Sequence, residues 1–141
     1  MESTAGAQRY TLRPHPESAG KARRLVAAAL CSHARPETVH DATVVVSELV
    51  TNAVIHASTA VTVGLQLLPG GGARIEVGDA SSWPPTPRRA TADQPGGRGL
   101  ILVDALSKEW GVSNTADGKT VWAEIAPAPR HTPNFPARAA C

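Results

Sequence analysis

Glu48 and Asn52 stand four residues apart in the segment VVVSELVTNAVIHA, residues 44–57. Four residues is about one helical turn, so both side chains lie on one stripe of a helix. The rest of the segment is strongly apolar: Val44, Val45, Val46, Leu49, Val50, Ala53, Val54 and Ile55. A carboxylate and a carboxamide side by side in that setting are costly to bury without partners. A hydrated divalent metal carrying phosphates is one such partner. Asn offers it a neutral oxygen ligand, and Glu can orient or deprotonate a nucleophile. The plain alternative is a helix whose polar side faces water. The bare E-x-x-x-N pattern favours that alternative, so the rest of the chain must decide.

Other residues carry chemistry of their own. Asp79 ends the strand pattern Ile75-Glu76-Val77-Gly78. A carboxylate there can accept from an amino group, such as the exocyclic amine of adenine, or it can be an ordinary turn residue. His56 lies one turn beyond Asn52 on the same stripe, within reach of a phosphate, although a lone helical histidine more often caps or packs. In Gly97-Arg98-Gly99 the glycines stand at the mouth of a helix, where backbone N–H groups can approach an anion. This is not a dinucleotide fingerprint, because the third glycine would fall at Leu102 and no strand leads directly in. Gly118-Lys119-Thr120 ends like a phosphate-binding loop, but Ser113 stands where the first glycine belongs and a strand follows. It reads as a hairpin turn.

The elements that must position these groups fit one domain of 141 residues. Hydrophobic residues make up 42% but aromatics only 4%, so Ala, Val and Leu supply the core. A net charge of +2 is too small for a nucleic-acid surface. Two cysteines, with no CxxC or Cys/His cluster, suggest neither a disulfide framework nor a structural zinc site. No basic start precedes an apolar run, and no apolar stretch is long enough for a membrane span. The expectation is a soluble cytoplasmic protein.

Residues 1–7 read as a disordered start, 8–126 as the domain, and 127–141 as a loose proline-rich tail. Tyr10–Arg13 reads as a short edge strand, Glu17–His33 as a helix, and Pro36 to about Ala57 as a second helix. Ala60–Leu68 and Ala73–Asp79 form a hairpin around Pro69-Gly70-Gly71-Gly72. Ser81–Gly97, with Pro84, Pro85, Pro87 and Pro95, reads as a long mobile loop carrying Trp83 as a lid or interface residue. Gly99–Leu106 is a short helix. Glu109–Asn114 and Lys119–Ile125 form a second hairpin around Ala116-Asp117-Gly118, with Trp110 and Trp122 core or half-buried. Helices and antiparallel strands in such runs predict an α+β two-layer sandwich. Its sheet would be mixed, mostly antiparallel, and covered on one face by helices.

The order of these signals is more specific than any one of them. E-L-V-T-N-A-V-I-H-A is followed by a strand ending in Asp79, a lid-like loop, G-G-R-G-L and then G-K-T-V-W. Over about residues 10–126 the chain resembles the GHKL (Bergerat-type) ATP-binding fold and, within it, the anti-sigma factor serine/threonine kinases. The resemblance implies an ATP–Mg2+ site. In it Asn52 matches the magnesium ligand and Glu48 the general base for an incoming hydroxyl. Asp79 matches the carboxylate that recognises the adenine amine, and Thr120 a strand threonine near adenine. Gly97 and Gly99 match the glycines that hinge the ATP lid and face the phosphates, with Arg98, Leu100 and His56 beside them in the nucleotide site. Phosphoryl transfer needs positioning and charge neutralisation more than covalent help, which agrees with these residue types. The family's D-x-G box is here Asp79-Ala80-Ser81, so the turn needs another backbone geometry.

The activity implied is phosphorylation of a serine or threonine on a small antagonist protein, with sequestration of a sigma factor when the antagonist is absent. One alternative is a binding module that holds its partner without phosphorylating it. Another is a detached ATP-binding domain of a histidine kinase system. The N-terminal strand and first helix could also pair two copies as a homodimer.

Overall fold

Alternation of apolar and polar residues builds the sheet, and a helical repeat of small and branched residues covers it. The computed structural model describes residues 7–56, 59–80, 97–115 and 118–127, with the side chains of 97–99 and 115 excepted. The expected disordered start through residue 6 lies outside the described residues. So do 81–96 of the expected loop, with Trp83, the turn tip 116–117, and the tail from 128 onward.

The described elements run β1 (Gln8–Leu12), α1 (Glu17–Leu30), α2 (Pro36–His56), β2 (Val61–Leu67), β3 (Ala73–Asp79), α3 (Gly97–Leu106), β4 (Glu109–Thr115) and β5 (Gly118–Ile125). The strands form one sheet in the order β1-β2-β3-β5-β4. The sheet expected to be mostly antiparallel is antiparallel at every pairing. Two helices separate β1 from β2, so the chain reverses twice and returns antiparallel. β4 takes the outer position and β5 folds back between it and β3. β1 is an edge strand, as its flanking prolines predict.

One face of the sheet is apolar. Val61, Val63 and Leu65 of β2, Ala73, Ile75 and Val77 of β3, and Ala123 and Ile125 of β5 are all buried. Against them lie Ala22, Val26 and Leu30 of α1 and Ala42, Val45, Val46, Leu49, Val50 and Ala53 of α2. α1 packs along α2, and α2 contacts β3, β5 and β2. The run Val44-Val45-Val46 has low intrinsic helix preference, so burial rather than propensity holds α2 helical there. Pro36 fits the first turn, where an N–H would lack an intrahelical acceptor, and Val39 N–H donates to Arg35 O at 3.0 Å.

The other face is polar. Arg74 donates to Glu76 at 2.9 Å and to Glu124 at 3.0 Å, and its guanidinium stacks 4.5 Å from the Trp122 ring centroid. Trp110 and Trp122 are both half-buried, within the expectation. Among the described residues, no helix is long and apolar enough to cross a membrane.

Candidate functional site

The most constrained point of the sheet is the rim where β3 ends and β5 begins. Pairing sets Asp79 opposite Val61 on one side and opposite Lys119 on the other. Cross-strand partners share a face, so Asp79 and Lys119 both belong to the inner, helix-covered face. They are only 9% and 3% exposed. Gly118 makes this approach possible. Its φ is +143°, and a Cβ there would lie 2.0 Å from the Asp79 carbonyl oxygen. Only glycine fits. After Asp79 the backbone turns without the glycine of a D-x-G box. Ala80 N–H instead donates to Thr59 Oγ1 at 3.0 Å, and no described non-glycine residue has positive φ.

Burial pushes the Lys119 ammonium's pKa down to about 8, against the pull of the Asp79 carboxylate, which favours the charged form. At neutral pH the rim therefore holds a cation and a carboxylate side by side, largely out of water.

α2 ends close in the chain to the same rim. It finishes at His56, and five residues later Val61 opens β2 directly opposite Asp79. Glu48 and Asn52 are both half-buried on this helix, and His56 is exposed. Among the described residues, neither Glu48 nor Asn52 has a side-chain hydrogen bond or ion pair. One residue before Glu48, Ser47 Oγ accepts from Arg23 Nη1 at 2.7 Å, which ties this turn of α2 to α1.

α3 begins at Gly97, so Gly97, Arg98 and Gly99 form its first turn instead of preceding a helix at Gly99. Leu100 packs against the core and Val103 is fully buried. Trp110 Nε1 donates to Asp104 Oδ1 at 2.9 Å. After Leu106, two residues lead to Glu109, which pairs with Glu124 at the opposite end of the sheet from Asp79. A ten-residue helix is about 15 Å long. Laid along α2, α3 carries its first turn back toward the rim. The first N–H groups of a helix lack intrahelical acceptors and carry partial positive charge, a setting for an anion.

Thr120 follows Lys119 on β5 and lines the same groove as Asp79. It pairs with Gly78, and a Cβ on Gly78 would meet Thr120 Oγ1 at 3.1 Å and Thr62 Oγ1 at 3.0 Å. With Asp79, Gly118 and Lys119, these three positions line a groove of about 360 Å³ at the rim. The two-residue strand period sets Lys119, and not Thr120, on the face that Asp79 occupies. Lys119 is thus the residue that motif matching overlooked. Its signal was present in Lys119-Val121-Ala123-Ile125, an alternation that continues the apolar face.

Among the described residues no group of three or more His, Cys, Asp or Glu could hold a metal ion. A metal seated here would have to arrive with anionic oxygens. Mg2+ does so, keeping waters and phosphates around one or two protein oxygens, and the unengaged amide of Asn52 fits that donor set.

A family model described as the histidine kinase-like ATPase domain matches residues 12–125 of this chain. An uncharacterized protein of Streptomyces coelicolor is 36% identical over 87 residues, which are 59% of this chain and 83% of that protein. The crystal structure of the RsbU and RsbW domains of Rv1364c from Mycobacterium tuberculosis superposes over 96% of this chain at TM-score 0.66 and 22% identity. This chain spans 34% of that one, and the likeness is one of fold.

Proposed function

The chain belongs to the histidine kinase-like ATPase domain family, and from that premise we propose that it binds Mg2+–ATP at the rim and transfers phosphate to a serine or threonine of a partner protein. An ATP-binding domain is what the family implies, and the observation that carries the specific reading is the α2 stripe. Glu48 and Asn52 are half-buried and unengaged among the described residues, on the helix that ends five residues before Val61, the cross-strand partner of Asp79.

In this reading Asp79 accepts from the adenine amine, and the first turn of α3, Gly97-Arg98-Gly99 with Leu100, faces the phosphates. Asn52 holds Mg2+, which supplies charge neutralisation at the phosphates when bound, and His56 stands within reach of them. Glu48 orients the acceptor hydroxyl and takes up its proton, as a positioned carboxylate can. The anti-sigma part of the proposal, an antagonist protein as phosphoacceptor and a sigma factor as sequestered partner, is supported by the E-L-V-T-N-A-V-I-H-A segment. The RsbU/RsbW neighbour shares the fold only.

Calorimetry with ATP and Mg2+ on wild type, Asn52→Ala and Glu48→Gln tests the site. Asn52→Ala should greatly weaken binding. Glu48→Gln should keep binding and lose phosphate transfer to a captured antagonist, by ~10²–10⁴ in rate for loss of a positioned base. Equal affinity in all three proteins would end the assignment. A second reading, a binding module without transfer, draws on Asp79-Ala80-Ser81 and on the lysine beside Asp79. It wins if wild type binds ATP and its partner yet transfers no phosphate.

A further inference from the structure

The carboxylate assigned to the adenine amine does not stand alone. Lys119 is its cross-strand partner on the same inner face, and both are buried. Opposed residues on neighbouring strands have Cβ atoms about 4.5–5.5 Å apart, so the two head groups can address neighbouring atoms of one ligand. Their chemistry is complementary and unambiguous. A carboxylate only accepts hydrogen bonds and an ammonium only donates them. Together they present an acceptor beside a donor. The edge of adenine presents the matching pair, an amine that donates next to ring nitrogen N1, which accepts.

We propose that Lys119 is a specificity-determining residue of the nucleotide site, donating from its ammonium to adenine N1 while Asp79 accepts from the adjacent amine. The proposal rests on the nucleotide reading above and adds to it a residue outside the E-L-V-T-N and G-R-G segments. Two features support it. An ammonium on an otherwise apolar strand face is costly to bury, and the Lys119 position continues the row Val121, Ala123, Ile125. In addition, the close backbone approach at Gly118, which no side chain could tolerate, is what seats Lys119 opposite Asp79.

The test compares ATP with 1-deaza-ATP, which keeps the amine and replaces N1 by carbon. Both are titrated by calorimetry with Mg2+ into the full chain, as wild type and as Lys119→Met. Wild type should bind the deaza analogue ~10–100-fold more weakly, the range for losing a hydrogen bond to a charged donor. Lys119→Met should lose a comparable factor for ATP and bind the two nucleotides within about twofold of each other, since neither then meets a donor. Wild type binding both nucleotides equally overturns the proposal without any variant, so a poorly folding Lys119→Met does not shelter it. Discrimination that persists in Lys119→Met also overturns it, because the N1 contact then comes from elsewhere. If wild type binds neither nucleotide, the nucleotide reading itself has failed and this assignment falls with it. ATP binding that lacks N1 discrimination refutes Lys119 alone.

Discussion

Replacing Lys119 by methionine should stabilise the protein at neutral pH, and the gain should vanish in alkali. The side chain is 3% exposed, and burial holds its pKa at about 8 against an ordinary 10.5. At about 1.36 kcal/mol per pH unit, that difference is about 3 kcal/mol of strain on the charged form. Below pH 8 both native and unfolded chains hold the proton and the full burden is present. Between pH 8 and 10.5 the unfolded chain keeps its proton while the native one releases it, so wild-type stability climbs relative to the variant. Near pH 10.5 most of the burden has gone. The pKa of about 8 already includes the opposing attraction of Asp79, so that attraction is not counted again. The informative quantity is therefore the change in the gap between variant and wild type. Urea denaturation of both proteins at intervals from pH 7 to 10.5 should show that gap closing by about 3 kcal/mol. Every other group is common to both proteins and cancels in the difference. A gap independent of pH would refute the desolvation argument, and a gap that widens would mean that the ammonium is better solvated in the native rim than in the unfolded chain.

Gly118→Ala should cost at least ~3 kcal/mol of stability by thermal or urea unfolding, because its Cβ would overlap the Asp79 carbonyl oxygen at 2.0 Å and its φ of +143° excludes a side chain; a near-neutral result would show that the two strands part easily there. Asn52→Ala should raise stability by ~0.5–1 kcal/mol while weakening nucleotide binding, since it removes a half-buried, unengaged amide and installs a better helix former; destabilisation instead would assign Asn52 a structural role.

Much of this fold was legible in the sequence. β3 begins and ends where alternation and the Pro-Gly turn place it, and α2 begins at Pro36 and is helical through His56, beyond which the expected Ala57 lies outside the described residues. Periodicity reports burial directly in those segments. α3 was less legible: two glycines are poor helix formers, and packing against α2 with Val103 in the core draws the helix back to Gly97. The candidate site was legible where a local pattern carries it, as in the Glu48/Asn52 stripe and the strand-ending Asp79. Lys119 was less legible because motif matching weighs neighbours along the chain, whereas a strand sorts alternate residues to opposite faces. The Asp79–Lys119 pairing joins residues forty apart, and only the β3–β5 register puts them together.

Gly118 has a further consequence through that register. Sliding β5 by one position against β3 would turn Thr120 inward and Lys119 outward, and would expose Ala123 and Ile125 as well. Only at position 118 can β5 lie against the Asp79 carbonyl, so a slipped strand would bring Lys119 or its preceding turn to a spot where any Cβ collides. A residue with no side chain thereby selects which functional group the rim displays, a threonine hydroxyl or a lysine ammonium.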